Sequence, residues 1–156
     1  MTTKAKVVAN YILELAKKSE KTVTPMQLIK LAYLCHGWML GIRGRPLIDD
    51  EQVQAWRYGP VINSIYQGTK ERKSLPVIEK LKVSGNLKLT EDEENLVAAV
   101  YKEYGDFSGI ALSSMTHAPE TPWSIVWEHN GECNAIISND LIEEHYSQKY
   151  KKAQAA

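Results

Sequence analysis

Thr24-Pro25-Met26-Gln27-Leu28-Ile29-Lys30-Leu31-Ala32-Tyr33-Leu34-Cys35-His36-Gly37-Trp38-Met39-Leu40-Gly41, residues 24–41, is the stretch whose reading decides the fold. Thr24 is a hydroxyl N-cap, and Pro25 suits the first helical position, where no N–H is needed. Gln27 stands three residues after Thr24, as a capping box requires. Leu28, Leu31, Ala32, Cys35, Trp38 and Met39 then repeat at helical spacing and form one apolar face. Ile29, Tyr33, Leu34 and Leu40 lie off that stripe, so the helix is apolar almost all round. Such a helix belongs at the centre of a domain, with other elements packed about it. Gly41 and Gly44 are read as its stop.

Upstream, Val8, Tyr11, Ile12, Leu15 and Ala16 give one buried stripe to a helix over about Lys4–Lys18, with Lys17 and Lys18 in its last turn, where cations suit the dipole. Downstream the pattern changes. Pro46-Leu47-Ile48 and Gln52-Val53-Gln54-Ala55-Trp56 alternate weakly, which fits two short strands or an extended loop pair. Gly59-Pro60 reads as a breaker, with Pro60 opening a third helix through Val61, Ile62, Ile65 and Tyr66. Residues 69–76 read as a basic surface loop, and residues 77–82 as a short helix before a turn at Gly85-Asn86. Thr90 ahead of Glu91, Asp92, Glu93 and Glu94 is a strong helix start. Ser108, Thr121-Pro122 and Asn139 open three further helices. The expected fold is mainly α: a compact bundle of about six to eight helices, with at most a small β-hairpin or short strands near residues 46–57. A single domain over residues 1–150 and a flexible tail over 151–156 complete the expectation. The final Ala155-Ala156 suits a frayed end better than a protease signal.

The chain has 156 residues, 44% hydrophobic and 24% charged, enough for a core without disulfides. Its formal net charge is zero, which removes any global argument for nucleic acid or membrane. Residues 1–82 nonetheless hold 14 Lys/Arg against 7 Asp/Glu, and residues 83–156 hold 5 against 12. Mutual neutralisation by packing is the simpler reading of that split; steering of a partner is the other. Cys35 and Cys133 form no disulfide framework, and no apolar run approaches the ~20 residues of a membrane span. The opening residues are amphipathic, unlike a secretory signal, so the expected compartment is the cytoplasm.

Several separated pieces carry a resemblance. Met26-Gln27-Leu28-Ile29-Lys30-Leu31-Ala32-Tyr33 leads through His36-Gly37-Trp38 to Arg45-Pro46-Leu47. Then come Ala55-Trp56-Arg57-Tyr58-Gly59-Pro60-Val61 and, later, Thr116-His117 with Pro122-Trp123. In this order they resemble the Panacea domain family of SocA-like and GepA-like phage-associated proteins, over roughly residues 7–150. The resemblance implies an antitoxin of a toxin–antitoxin pair, whose partner is a cognate toxin encoded by the adjacent gene and neutralised by direct binding. One family member is an adaptor that delivers its toxin to an ATP-dependent protease, which keeps that alternative open. No enzymatic activity or cofactor is implied.

The residues themselves agree with a binding role. Trp, Tyr and Arg dominate the energetics of protein interfaces. Trp56 and Pro60 read better as core and turn than as interface, whereas Arg57 and Tyr58 fit either role. The candidate partner-binding residues are Arg43, Arg45, Arg57, Tyr58, Tyr66, Lys70, Arg72 and Lys73. Leu31, Tyr33, His36, Trp38, Trp56, Gly59, Pro60, Val61, His117 and Trp123 are motif residues expected to be structural. His36, His117, His129 and His145 lack the short-spaced pairs of a zinc site, so no metal is expected. His117 ends a helix, and Ser113, Ser114 and Glu120 beside it carry no nucleophile motif, so no catalytic residue is expected. Glu91–Glu94 cap a helix, and Gly41-x-x-Gly44 lacks the Lys-Ser/Thr of a phosphate loop. Lys70, Arg72 and Lys73, with Arg43 and Arg45, are the best nucleic-acid candidates. They lack a long basic helix or a polar recognition helix, so a DNA-binding regulator ranks below a protein-binding module.

Overall fold

A computed structural model describes residues 3–130 and 135–155; the readings of Cys133 and of the His129 side chain fall outside the described residues. The elements are α1 (Lys4–Lys18), α2 (Pro25–Arg43), β1 (Val53–Trp56), β2 (Gly59–Val61), α3 (Asn63–Thr69), α4 (Glu91–Tyr104), α5 (Gly109–Thr116), α6 (Pro122–Asn130), β3 (Ala135–Ile137) and α7 (Asn139–Ala155). The fold is mainly α with one small antiparallel sheet.

α2 is the central helix, packed by α1, α3, α4, α5 and α7. Its capping box forms as the sequence implies: the Gln27 N–H donates to Thr24 Oγ1 at 3.3 Å, and the Thr24 N–H donates to Gln27 Oε1 at 2.8 Å. Leu28, Leu31, Leu34, Cys35 and Met39 are all buried. Gly44 ends the helix in the left-handed conformation, with φ 69°. Gly41 does not stop it. A Cβ at Gly41 would stand 2.6 Å from the backbone carbon of Tyr146, so this glycine lets α7 lie directly on α2. α7 runs on through residues 151–155, the stretch expected as a tail, and these five residues are exposed.

β1 is the middle strand, between β2 and β3, and Ala55 pairs with Pro60 on one side and Ala135 on the other. Gly59-Pro60 therefore lies in a strand and does not open the third helix, which begins at Asn63. β2 is an edge strand, where a residue without an N–H is tolerated. The first alternating segment, 46–48, forms no strand. Residues 77–82 are not helical either. The Asn10 side chain accepts from the Leu81 N–H at 2.7 Å and donates to its carbonyl at 2.9 Å, which satisfies the backbone of an extended segment laid against α1. The turn at Gly85-Asn86 is present, with Gly85 at φ 78°.

Two helix starts are capped from a distance. Asp50 Oδ2 accepts from the N–H groups of Thr3 and Lys4 at 2.8 and 3.0 Å, and so caps α1. Glu51 accepts from the Ser64 N–H and hydroxyl at 2.8 and 2.5 Å, capping α3. The charge-split halves also meet directly. Buried Lys4 pairs with Glu93 at 2.8 Å, Arg45 reaches the same carboxylate at 3.7 Å, Arg43 lies 3.9 Å from Asp92, and Lys21 pairs with Asp106. Burial acts to raise the Glu93 pKa. The Lys4 hydrogen bond, the Thr90 N–H and the charges of Lys4 and Arg45 outweigh it and hold the carboxyl below its usual value.

Candidate partner-binding groove

β1 and β2 are joined by a two-residue turn, Arg57-Tyr58, and three side chains from three helices grip the carbonyls around it. The indole N–H of Trp123 on α6 donates to the Trp56 carbonyl at 2.6 Å. The Ser113 hydroxyl on α5 donates to the Tyr58 carbonyl at 2.6 Å, and the Lys30 ammonium on α2 donates to the Pro60 carbonyl at 2.8 Å. Backbone groups that a short hairpin would leave to water are thus tied to the bundle, and the turn is held rigid. Gly59 between them has φ 120°, and a Cβ there would sit 2.8 Å from Lys30 Nζ. Glycine satisfies both the dihedral and the approach.

The clamped backbone leaves Arg57 and Tyr58 exposed at the tip, with the guanidinium carbon 5.6 Å from the Tyr58 ring centroid. Beside them runs a groove of about 500 Å³. Pro25, Met26, Ile29 and Lys30 of α2 form one wall; Trp56 and Val61 of the hairpin and Tyr66 of α3 form the other. Trp56 and Tyr66 meet edge to face with centroids 4.8 Å apart. Lys70 and Lys73, beyond α3, complete a basic rim with Arg57. Five of the eight candidate binding residues, Arg57, Tyr58, Tyr66, Lys70 and Lys73, therefore line one surface. The other three lie elsewhere. Arg43 and Arg45 pair with Asp92 and Glu93, and the Arg72 Nε–H donates to the Pro76 carbonyl at 2.8 Å.

Lys30 is the functional candidate that the binding list lacks. It is 3% exposed, and burial lowers its pKa from 10.5 to about 7. No carboxylate lies within ion-pair distance of it among the described residues. The available signal was its position: Lys30 is the one Asp, Glu, Lys or Arg between Pro25 and Gly41, on a helix that is apolar nearly all round.

The motif residues divide into core and support. Leu31 and Tyr33 are buried on α2, and Trp38 packs on Tyr146 while its indole N–H donates to the Tyr104 hydroxyl at 3.2 Å. His36 is fully buried. Its Nδ1 accepts from the Ile48 N–H at 3.2 Å, so Nε2 carries the proton and donates to Asn139 Oδ1 at 2.9 Å, joining α2, the 45–50 loop and α7. Burial keeps this imidazole's pKa below its ordinary value. His117 follows α5, its Nδ1 3.3 Å from Ser113 Oγ and its ring edge-on to Trp123. The Ser113 proton is committed to the Tyr58 carbonyl, which ties α5 and the His117 beside it to the hairpin. Burial raises the Cys35 thiol's pKa well above the ordinary range, away from the thiolate needed for reactivity. Among the described residues no group of three His, Cys, Asp or Glu side chains could hold a metal ion, and no helix is long and apolar enough to cross a membrane.

Residues 28–124, well over half of the chain, match the family described as Antitoxin SocA-like, Panacea domain. The chain is also similar to Antitoxin SocA of Caulobacter vibrioides (strain NA1000 / CB15N), with 26% identity over 131 residues that take in 78% of this chain and 69% of that protein. No solved structure matches.

Proposed function

Because the chain belongs to the family of SocA-like antitoxins with a Panacea domain, we propose that it is the antitoxin of a toxin–antitoxin pair and neutralises its toxin by binding it directly. The family match carries this reading, since the matched stretch takes in Lys30, Ser113 and Trp123 together with the hairpin that they grip. A rigid, exposed Arg-Tyr tip beside an apolar groove is the kind of surface that binds a protein without a large ordering cost. The same reading makes the protein non-enzymatic and cytoplasmic, with its toxin encoded by the adjacent gene.

Expression of the neighbouring gene product alone and together with this chain is the test. The neighbour should be toxic alone, harmless in the pair, and should co-purify with this chain. A neighbour that is harmless alone, or that never binds, sinks the proposal. Neutralisation that persists in cells lacking ATP-dependent proteases separates occlusion of the toxin from its delivery for degradation.

A further inference from the structure

The groove beside the hairpin has a chemistry of its own. Its lining holds four basic side chains, Lys30, Arg57, Lys70 and Lys73, and no carboxylate. Lys30 spends one of three N–H donors on the Pro60 carbonyl. A buried ammonium whose hydrogen-bond partner among the described residues is one carbonyl is poorly compensated, and an incoming anion improves its surroundings more than it would those of a solvated lysine. Next to it, Met26 and Tyr58 remain 38% and 61% exposed, so the site also presents apolar surface for burial.

We propose that this groove receives a short apolar segment of the partner protein bearing one carboxylate, which seats on the Lys30 ammonium while its apolar neighbours cover Met26, Ile29 and Tyr66. The inference rests on the antitoxin reading only in making that segment part of the toxin. Charge complementarity selects an acidic segment, and the apolar walls favour a peptide over a phosphate backbone, which would engage the rim cations and leave Met26 and Ile29 uncovered. The titratable groups around Lys30 are Arg57 and Tyr58 of the hairpin and Tyr66, Lys70 and Lys73 beyond it; the α5 neighbour of Gly59, Thr116, does not titrate. No acid among them competes for the ammonium.

Nuclear magnetic resonance titration of the full chain tests this with two acetylated, amidated hexapeptides. Each carries two leucines and a phenylalanine, and they differ only in one glutamate or glutamine. The glutamate peptide should shift the amide signals of Met26, Ile29, Lys30 and Tyr66 and saturate at about tenfold lower concentration, the usual worth of a charge-assisted hydrogen bond. Lys30→Met should abolish that difference. Because Lys30→Met also releases the Pro60 carbonyl, Lys30→Arg serves beside it; it keeps a cation and a donor for that carbonyl and should restore the preference for glutamate. Equal saturation by both peptides, shifts confined to another surface, a preference that survives Lys30→Met, or a single-stranded oligonucleotide that displaces the glutamate peptide from the groove would each overturn the proposal. Co-expression separates the two readings. Wild-type chain that fails to relieve toxicity removes the antitoxin role and leaves the peptide result standing. Equal relief and equal toxin affinity for wild type and Lys30→Met remove the groove and leave the antitoxin role.

Discussion

Lys30 should make the stability of this protein rise with pH in a range where most proteins are flat. Its pKa is about 7 in the folded chain against 10.5 for an ordinary lysine. Below pH 7 both states carry the proton, so the penalty of burying the charge is fully present and constant. Between about 7 and 10.5 the unfolded chain still binds a proton that the folded chain has released, so unfolding becomes harder as pH rises. The limiting slope is about 1.4 kcal/mol per pH unit, which sets a ceiling of about 2–3 kcal/mol between pH 7 and pH 9. Lys30 is only 3% exposed, so little of this is lost to solvent screening. Urea unfolding followed by circular dichroism at pH 6, 7, 8 and 9 measures it. The free energy of wild type minus that of Lys30→Met isolates this lysine from other groups that titrate in the range. The difference should be constant below pH 7 and climb above it. Parallel curves from pH 6 to pH 9 would refute the reasoning, because they would mean that the ammonium is as well solvated folded as unfolded.

Gly41→Ala should destabilise by about 1–3 kcal/mol despite alanine's better helix propensity, because its methyl would meet the backbone of Tyr146 and Ser147 at 2.6–2.8 Å. Gly44→Ala meets no neighbour and should lose about 1 kcal/mol, from its φ of 69° alone; chemical denaturation compares the two. Glu93→Gln should cost about 1–3 kcal/mol near neutral pH by leaving Lys4 buried without its charge partner. Since the Glu93 pKa is lowered in the fold, its contribution is present above the ordinary glutamate value and is lost as pH falls through the lowered one, so the two proteins' unfolding curves should converge in acid. Asn139→Ala removes the acceptor for the His36 Nε2–H and should cost about 1–3 kcal/mol, read as a lower urea midpoint with an unchanged slope.

What the sequence made legible follows the range of the interaction concerned. Thr24 with Gln27, Thr90 with Glu93, and Ser108 with Ala111 are contacts three residues long, and each start that they mark is where its helix begins. Asp50 and Glu51 cap helices from 47 and 13 residues away, and β3 meets β1 across some eighty residues; no local pattern announces such partners. Gly41 looks like a terminator until the neighbour that needs its missing Cβ is known. The same limit governs the site. Arg43, Arg45 and Arg72 are indistinguishable by type from Arg57, Lys70 and Lys73, yet the first three are engaged by Asp92, Glu93 and the Pro76 carbonyl, and the last three face the groove. Conversely, the widely spaced pieces Lys30, Trp56 to Pro60, Ser113 and Trp123 converge on one clamp, with each helix side chain holding a different hairpin carbonyl. That arrangement divides the labour. The gripping residues act on backbone atoms and hold the tip in place, whereas the Arg57 and Tyr58 side chains stand exposed beside the groove. Substitutions at the tip should therefore change partner affinity with little loss of stability, and substitutions in the clamp should change both together.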